Sequence, residues 1–487
     1  YVTRWVFLRL LGIVNLIAFA SFWSQTNGLI GSNGIAPAGL FLQGVTARAE
    51  HWESPWMRFF IMPTLCWITS GDVFLHLLCF VGVCAAVILI ADFAPAICLI
   101  LLYVCYLSLA TVTPDFLGFQ WDTLLLEATF LSIFFAPAKL RPGIRTEEVH
   151  SRVMLMLLRW LLFRLMFMSG FVKLDDANWQ TLKAMTFHYE TQPLPHMLSW
   201  YAHHAPLWIH QLSVIATFTV ELALPFLMVA PRRVRAWVCA ALILFQISIG
   251  MTGNYTFFNL LVIALCLLLL DDRHWQYLAP ARWRHLLERP PLRKLWMPRK
   301  IAMGLLALGI IFVTGLQMCL ILRFNLPLWS ISTLQFTDHY HISNRYGLFA
   351  KMTTSRPEII IEGSNDGETW HEYEFIWKPG ALNQRPGWAQ PFQPRLDWQM
   401  WFAALRTSPP AWFQNLCYRL LEGKPEVLAL LEQNPFPDAP PRYVRALRYE
   451  YRFTSPIERE ASGNWWHREL LGLYMKDMSL ARTSAAP

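Results

Sequence analysis

Apolar residues run through the first two thirds of the chain in long stretches and then give way to short alternating ones. Stretches near 5–23, 71–91, 94–112, 120–137, 153–172, 208–230, 235–251, 255–271 and 301–323 each approach the roughly 20 residues that cross a bilayer as a helix. They predict about nine membrane-spanning helices. The first is read as a retained helix rather than a cleaved leader, because its apolar run is long and Ala18-Phe19-Ala20 makes only a weak cleavage pattern.

Beyond residue 324 the period shortens. Glu358 to Ser364 reads as a strand, Asn365-Asp366-Gly367 as a tight turn, and Trp370 to Ile376 as the returning strand. Tyr443 to Phe453 alternates again, with Leu447, Tyr449, Tyr451 and Phe453 on one face and Arg448, Glu450 and Arg452 on the other. Between them, Trp398, Trp401, Phe402, Leu405, Trp412, Phe413 and Leu416 mark amphipathic helices expected to cap the strands. The fold class is membrane α+β: a polytopic α-helical bundle over residues 1–324, a C-terminal β-sandwich with amphipathic helices over 325–478, and a disordered tail over 479–487. The connection Asn325-Leu326-Pro327-Leu328-Trp329 is too short and apolar for a flexible linker, so the sandwich is expected to dock on the bundle.

Composition agrees with a multi-pass membrane protein: 55% of the 487 residues are hydrophobic and 15% charged, with a mean hydropathy of +0.33. The net charge of +8 does not imply nucleic acid, because its basic surplus sits in short loops between spans. Arg4 and Arg9; Lys139, Arg141, Arg145 and Arg152; Arg232, Arg233 and Arg235; and Arg282, Arg284, Arg289, Arg293 and Lys294 all fall on one side when nine spans alternate. By the positive-inside rule that side is cytoplasmic, and the C-terminal region faces the periplasm or the lumen of the endoplasmic reticulum. The outer loop around Asn27 to Phe41 is expected to fold back compactly, with Trp52, Trp56 and Phe59 over the bundle mouth or in an interfacial belt. Nine cysteines show neither CxxC nor metal spacing, so no metal, cofactor or disulfide framework is expected.

Two polar constellations interrupt the apolar pattern. Trp121, Asp122 and Glu127 lie in the fourth span, where a carboxylate costs about 2.5–3.5 kcal/mol on insertion scales. Glu127 therefore needs a partner; Arg159 and Arg164 are the nearest candidates, with Glu221 competing for them. The second constellation follows the fifth span, where Lys173, Trp179, His188, Tyr189, Glu190, Gln192 and Pro193 crowd a short segment. Lys173, His188 and Glu190 form a candidate acid–base set, since a lysine in a dry pocket loses its proton readily. Pro193 and Pro195 suggest an extended segment in which His188 and Glu190 share a side. The alternative is a hydrogen-bonded plug that ties loop to helices. All three, with Trp121 and Asp122, are expected to converge at the outer mouth.

The run Phe171-Val172-Lys173-Leu174 through His188-Tyr189-Glu190-Thr191-Gln192-Pro193-Leu194-Pro195 resembles the signature of the lipase maturation factor family. So do residues 121–131, 358–375 and 393–405, which together reach across nearly the whole chain. The resemblance implies a membrane chaperone that helps secreted lipases reach their active state, with lipase clients and membrane lipids as partners. The hairpin in 363–370 is similar to one in discoidin-like jelly rolls. Residues 169–179 are similar to the stretch around the lysine base of vitamin K-dependent gamma-carboxylases, with Lys173 at the matching position; this implies the alternative of a membrane enzyme acting on a lipid-like or quinone-like substrate. An exposed apolar client surface on the C-terminal region would favour the first reading. A closed cavity lined by Lys173, His188 and Glu190 would favour the second.

Overall fold

The computed structural model describes residues 1–49, 54, 56–144, 151–278 and 296–480. Trp52, Arg145, Arg282, Arg284, Arg289, Arg293, Lys294 and residues 481–487 of the expected tail lie outside the described residues. All nine expected spans are helical. In chain order they are α1 (Val2–Trp23), α2 (Asp72–Ile90), α3 (Pro95–Val112), α4 (Gln120–Phe135) and α5 (Arg152–Lys173), then, after the short α6 (Ala184–Thr191), α7 (Leu207–Phe218), α8 (Arg232–Thr252), α9 (Phe258–Leu267) and α10 (Met297–Ile321). Seven are long and apolar enough to cross a membrane, when α7 is taken with its continuation to Val229. The chain is therefore an integral, multi-pass membrane protein.

The two shorter helices end for visible reasons. After α4 the backbone turns extended at Ala136, ahead of Pro137, whose ring disfavours a helical residue before it. At the end of α9 the free carbonyls of Leu268 and Leu269 accept guanidinium hydrogen bonds from Arg159 of α5 and Arg235 of α8, so the helix stops without leaving bare acceptors. α7 continues as a π turn over Thr219–Ala223 and a 3-10 turn over Leu224–Val229, carrying Glu221 and Pro225. α1 and α2 approach closely because Gly82 lies under the Phe19 ring, where an added Cβ would sit 2.3 Å from it.

The outer loop folds back compactly, as expected. Leu29, Ile30 and Ile35 are buried, whereas Trp56 and Phe59 are exposed. A further helix, α11 (Leu328–Tyr340), follows α10, and the segment after it returns Asn344 and Tyr346 into the bundle.

The C-terminal region contains a four-stranded antiparallel sheet in the order β2-β1-β5-β6 and a two-stranded sheet, β3-β4. The strands are β1 (Arg356–Ser364), β2 (His371–Glu372), β3 (Glu374–Phe375), β4 (Leu431–Gln433), β5 (Tyr443–Phe453) and β6 (Trp466–Met478). The expected returning strand is split: β2 pairs with β1, while β3 leaves to pair with β4. Gly367 has φ +81° in the connecting turn, a conformation that favours glycine. Every residue of β1 is buried because both of its faces are covered. Ile359 and Ile361 face a core containing Leu396 and Trp398 of α12 (Arg395–Ala404), and Ile360 packs with Trp200, Tyr451 and Trp466. Phe413 and Leu416 of α13 (Ala411–Leu421) join the first core, so the amphipathic helices cap the sheet as expected.

Candidate functional site

Three buried polar networks organise the face where bundle and C-terminal region meet. In the first, Glu127 is wholly buried and its ion-pair partner is Arg164, also wholly buried. The other Glu127 oxygen accepts from the Asn344 backbone N–H at 2.9 Å and the Tyr346 hydroxyl at 2.7 Å, while Arg164 donates to the Asn344 carbonyl at 3.0 Å. Of the two arginine candidates the bundle selects Arg164, because Arg159 is engaged at the end of α9. A carboxylate that accepts this many bonds is satisfied at depth.

In the second network, Arg395 of α12 enters the bundle and grips Asp122 of α4 through two nitrogens, each 3.0 Å from a carboxylate oxygen. It also donates to the Phe116 carbonyl at 2.6 Å. Beside it, Trp121 stacks on Phe119 with centroids 4.7 Å apart and meets Trp398 edge to face at 4.6 Å.

The third network grows from the end of α5. The Lys173 ammonium lies 2.8 and 3.0 Å from the two Glu221 oxygens and 3.1 Å from the Ser169 carbonyl. The Trp179 ring covers it, with its centroid 5.3 Å away. Asp176 caps the short helix Ala177–Gln180 that presents Trp179, whose indole N–H donates to the Phe349 carbonyl at 3.0 Å. Glu221 therefore pairs with Lys173 and does not compete for the α5 arginines; it sits in the π turn, a break in helix geometry that often marks a working position.

Residues 184–191 form a helix, which corrects the expectation of an extended segment. Proline restricts chiefly the residue before it, and the helix does end at Gln192, before Pro193. At about 100° per residue, His188 and Glu190 therefore point to nearly opposite sides. His188 faces inward, with Nε2 3.2 Å from the Tyr255 hydroxyl. That hydroxyl donates to the Gln192 side chain at 2.9 Å, and Gln192 donates in turn to the Thr252 carbonyl at 2.6 Å. Burial pushes His188 down from its ordinary value to about 4, and the nearby Lys173 charge adds to the shift.

Glu190 turns toward the sheet, where its carboxylate accepts the Phe453 backbone N–H. Burial raises its pKa above the ordinary carboxylate value. Arg356 of β1 binds the same corner, donating to the carbonyls of Glu190, Gln192 and Pro193 while pairing with Glu358 at 2.8 Å.

The expected five-residue convergence is thus divided. Lys173, Trp179, His188 and Tyr189 share one cavity of about 240 Å³ with Glu221 and Tyr255. Glu190, Gln192 and Pro193 tie the signature to β1 and β5, and Trp121 and Asp122 belong to the Arg395 network. Glu221, Tyr255, Arg356 and Arg395 complete these networks, and local pattern does not mark them. In the sequence Glu221 stands out only as a competitor for the α5 arginines, and the other three are polar residues in segments that read as ordinary loop, strand or helix. Only an unmatched buried charge at Lys173 and at Asp122 signals that such partners must exist.

Comparison with known proteins relates both regions of the chain to one family. Residues 2–277 match the family model described as "Lipase maturation factor transmembrane domain", and residues 342–476 match "Lipase maturation factor C-terminal domain". The chain is 35% identical to lipase maturation factor 2 of Rattus norvegicus, over 98% of this chain and 83% of that protein. It is 35% identical to lipase maturation factor 2 of Homo sapiens, over 98% and 82% of the two chains, and 33% identical to lipase maturation factor 1 of Homo sapiens, over 99% and 88%. No solved structure matches.

Proposed function

Because this chain belongs to the lipase maturation factor family, we propose that it acts as a membrane-bound, chaperone-like protein that assists the folding or assembly of secreted lipases. The observation that carries this reading is the outer strand of the sheet. β6 pairs with β5 on one side only, and it exposes Leu470, Leu471 and Leu473, each more than half accessible. Unpaired strand edges template pairing with another chain, and soluble proteins normally blunt them with charge or cover. An apolar edge held on a rigid base suits capture of an incompletely folded client. The cavity at Lys173 is lined by Lys173 and His188 but lacks Glu190, which does not match the three-residue site expected of the enzyme alternative.

In this reading all nine apolar segments cross the membrane, α4 and α9 together with the apolar residues that flank them, residues 325–478 form one extracytoplasmic unit, and its two sheets are the layers of a small β-sandwich. The basic-loop asymmetry supports placing that unit in the periplasm or the lumen of the endoplasmic reticulum. The test is co-expression with a secreted lipase in cells that lack their own factor. Leu470→Asp with Leu473→Asp is expected to cut secreted lipase activity severalfold at an unchanged level of the membrane protein; undiminished activity overturns the edge-strand reading.

A further inference from the structure

At the end of the bundle away from the C-terminal region, an open cleft of about 730 Å³ lies between α5, the 3-10 turn after α7, the start of α8, and α10. Its walls are apolar. Phe163 and Phe226 meet edge to face with centroids 5.3 Å apart, and Ile311 of α10 forms another wall. Phe226 and Ile311 are both more than half exposed, so the cleft opens on the bundle surface.

The polar lining of the cleft is three arginines, Arg152, Arg159 and Arg235, and no carboxylate lines it among the described residues. Arg159 spends Nε and Nη2 on the Leu268 carbonyl, at 3.0 and 2.8 Å, which leaves the other side of its guanidinium for another acceptor. Arg235 donates to the Leu269 carbonyl at 2.6 Å and lies 3.6 Å from Asp271, a carboxylate that Arg232 and His274 also share. Arg152 is exposed at the start of α5 and has no ion-pair partner among the described residues. Cations at the edge of a bilayer require counter-charge, and a planar guanidinium matches a phosphate with two parallel hydrogen bonds.

We propose that this cleft binds one anionic phospholipid, its phosphate held by Arg152 and Arg159 with support from Arg235, and one acyl chain lying along Phe163, Phe226 and Ile311. The apolar walls favour a lipid over free phosphate, which has nothing to place there. The surplus positive charge favours an anionic headgroup over a choline, which would add a cation beside three others.

The full chain, purified in mild detergent, is equilibrated with an equimolar mixture of phosphatidylglycerol and phosphatidylcholine of identical acyl chains, and the retained lipid is read by native mass spectrometry. One retained phosphatidylglycerol is expected in preference to phosphatidylcholine. Arg152→Gln should reduce that preference about fivefold, the typical contribution of one arginine near an anionic headgroup. Ile311→Trp, which fills the cleft without touching its charge, should lower retention of both lipids. Equal retention of the two lipids by the unaltered protein, or an unchanged preference in Arg152→Gln, overturns the proposal. So does loss of the preference on adding millimolar inorganic phosphate, which would indicate a free-phosphate site. Arg152 is exposed, so its variant is expected to fold even where Arg159→Gln, which frees the Leu268 carbonyl, does not. Bound lipid is measured without any lipase, so the outcome is independent of the maturation reading.

Discussion

Arg395 and Asp122 stand 273 positions apart in sequence, yet the arginine holds both carboxylate oxygens at 3.0 Å, and neither side chain reaches solvent. A residue of the C-terminal region thereby becomes part of the membrane bundle. The same logic recurs where Arg356 of β1 caps the carbonyls of the family signature. The two regions hold each other in register, and the edge strand β6 is carried on that rigid base.

Removing one partner of the Arg395–Asp122 pair leaves the other buried and unmatched. Arg395→Met is expected to destabilise the protein by about 3–5 kcal/mol, the usual range when one member of a buried pair is lost. Arg395→Met combined with Asp122→Leu should recover a large part of the loss. Thermal unfolding in detergent, with proteolysis of the C-terminal region as a second readout, checks both; a double variant no more stable than the single one contradicts the pairing.

Lys173 and Glu221 make the same kind of test at the cavity. Lys173→Met leaves the Glu221 carboxylate buried without its cation, and a loss of similar size is expected. Lys173→Met with Glu221→Leu should be the more stable of the two variants. If the double variant also supports lipase maturation, the pair holds structure. If maturation vanishes while the melting temperature recovers, the charges themselves act on the client.

His188 gives a pH dependence with a definite sign. Its pKa in the fold, about 4, lies below the ordinary histidine value, so the folded state disfavours the protonated ring. The unfolded chain therefore binds more protons between about pH 6.5 and 4. The stabilisation is complete above the unfolded value and is lost as pH falls through the folded one. The melting temperature should fall across this window, and His188→Gln should flatten that part of the profile; an equal slope in both proteins would mean that another group is responsible.

The orientation of the chain is open to a direct measurement. On the proposed arrangement of nine crossings with cytoplasmic basic loops, a reporter fused after Pro487 is expected to be active only in the exported compartment. Activity of a reporter that works only in the cytoplasm would require an even number of crossings.

The order of the helices follows from the chain itself, because an apolar run of about 20 residues must satisfy its own backbone in lipid and only a helix does so. The strands at 356–364 and 443–453 are legible for a similar reason, since alternation fixes which side chains share a face. So is the need for partners at Glu127 and Lys173, because an ion at bilayer depth is too costly to leave alone. Which partners they find is a matter of tertiary structure. Arg159 and Arg164 are both plausible for Glu127, and the choice falls to Arg164 because the end of α9 brings Leu268 to Arg159. Glu221 reaches Lys173 through the π turn in the segment after α7, and Arg395 reaches Asp122 only because α12 docks against α4. His188 and Glu190 part company because eight residues close into helix before Pro193 can prevent it. Local propensity acts over a few residues. Ion pairs between segments tens to hundreds of residues apart are set by how the helices and the sheet pack, and no short-range pattern contains that distance.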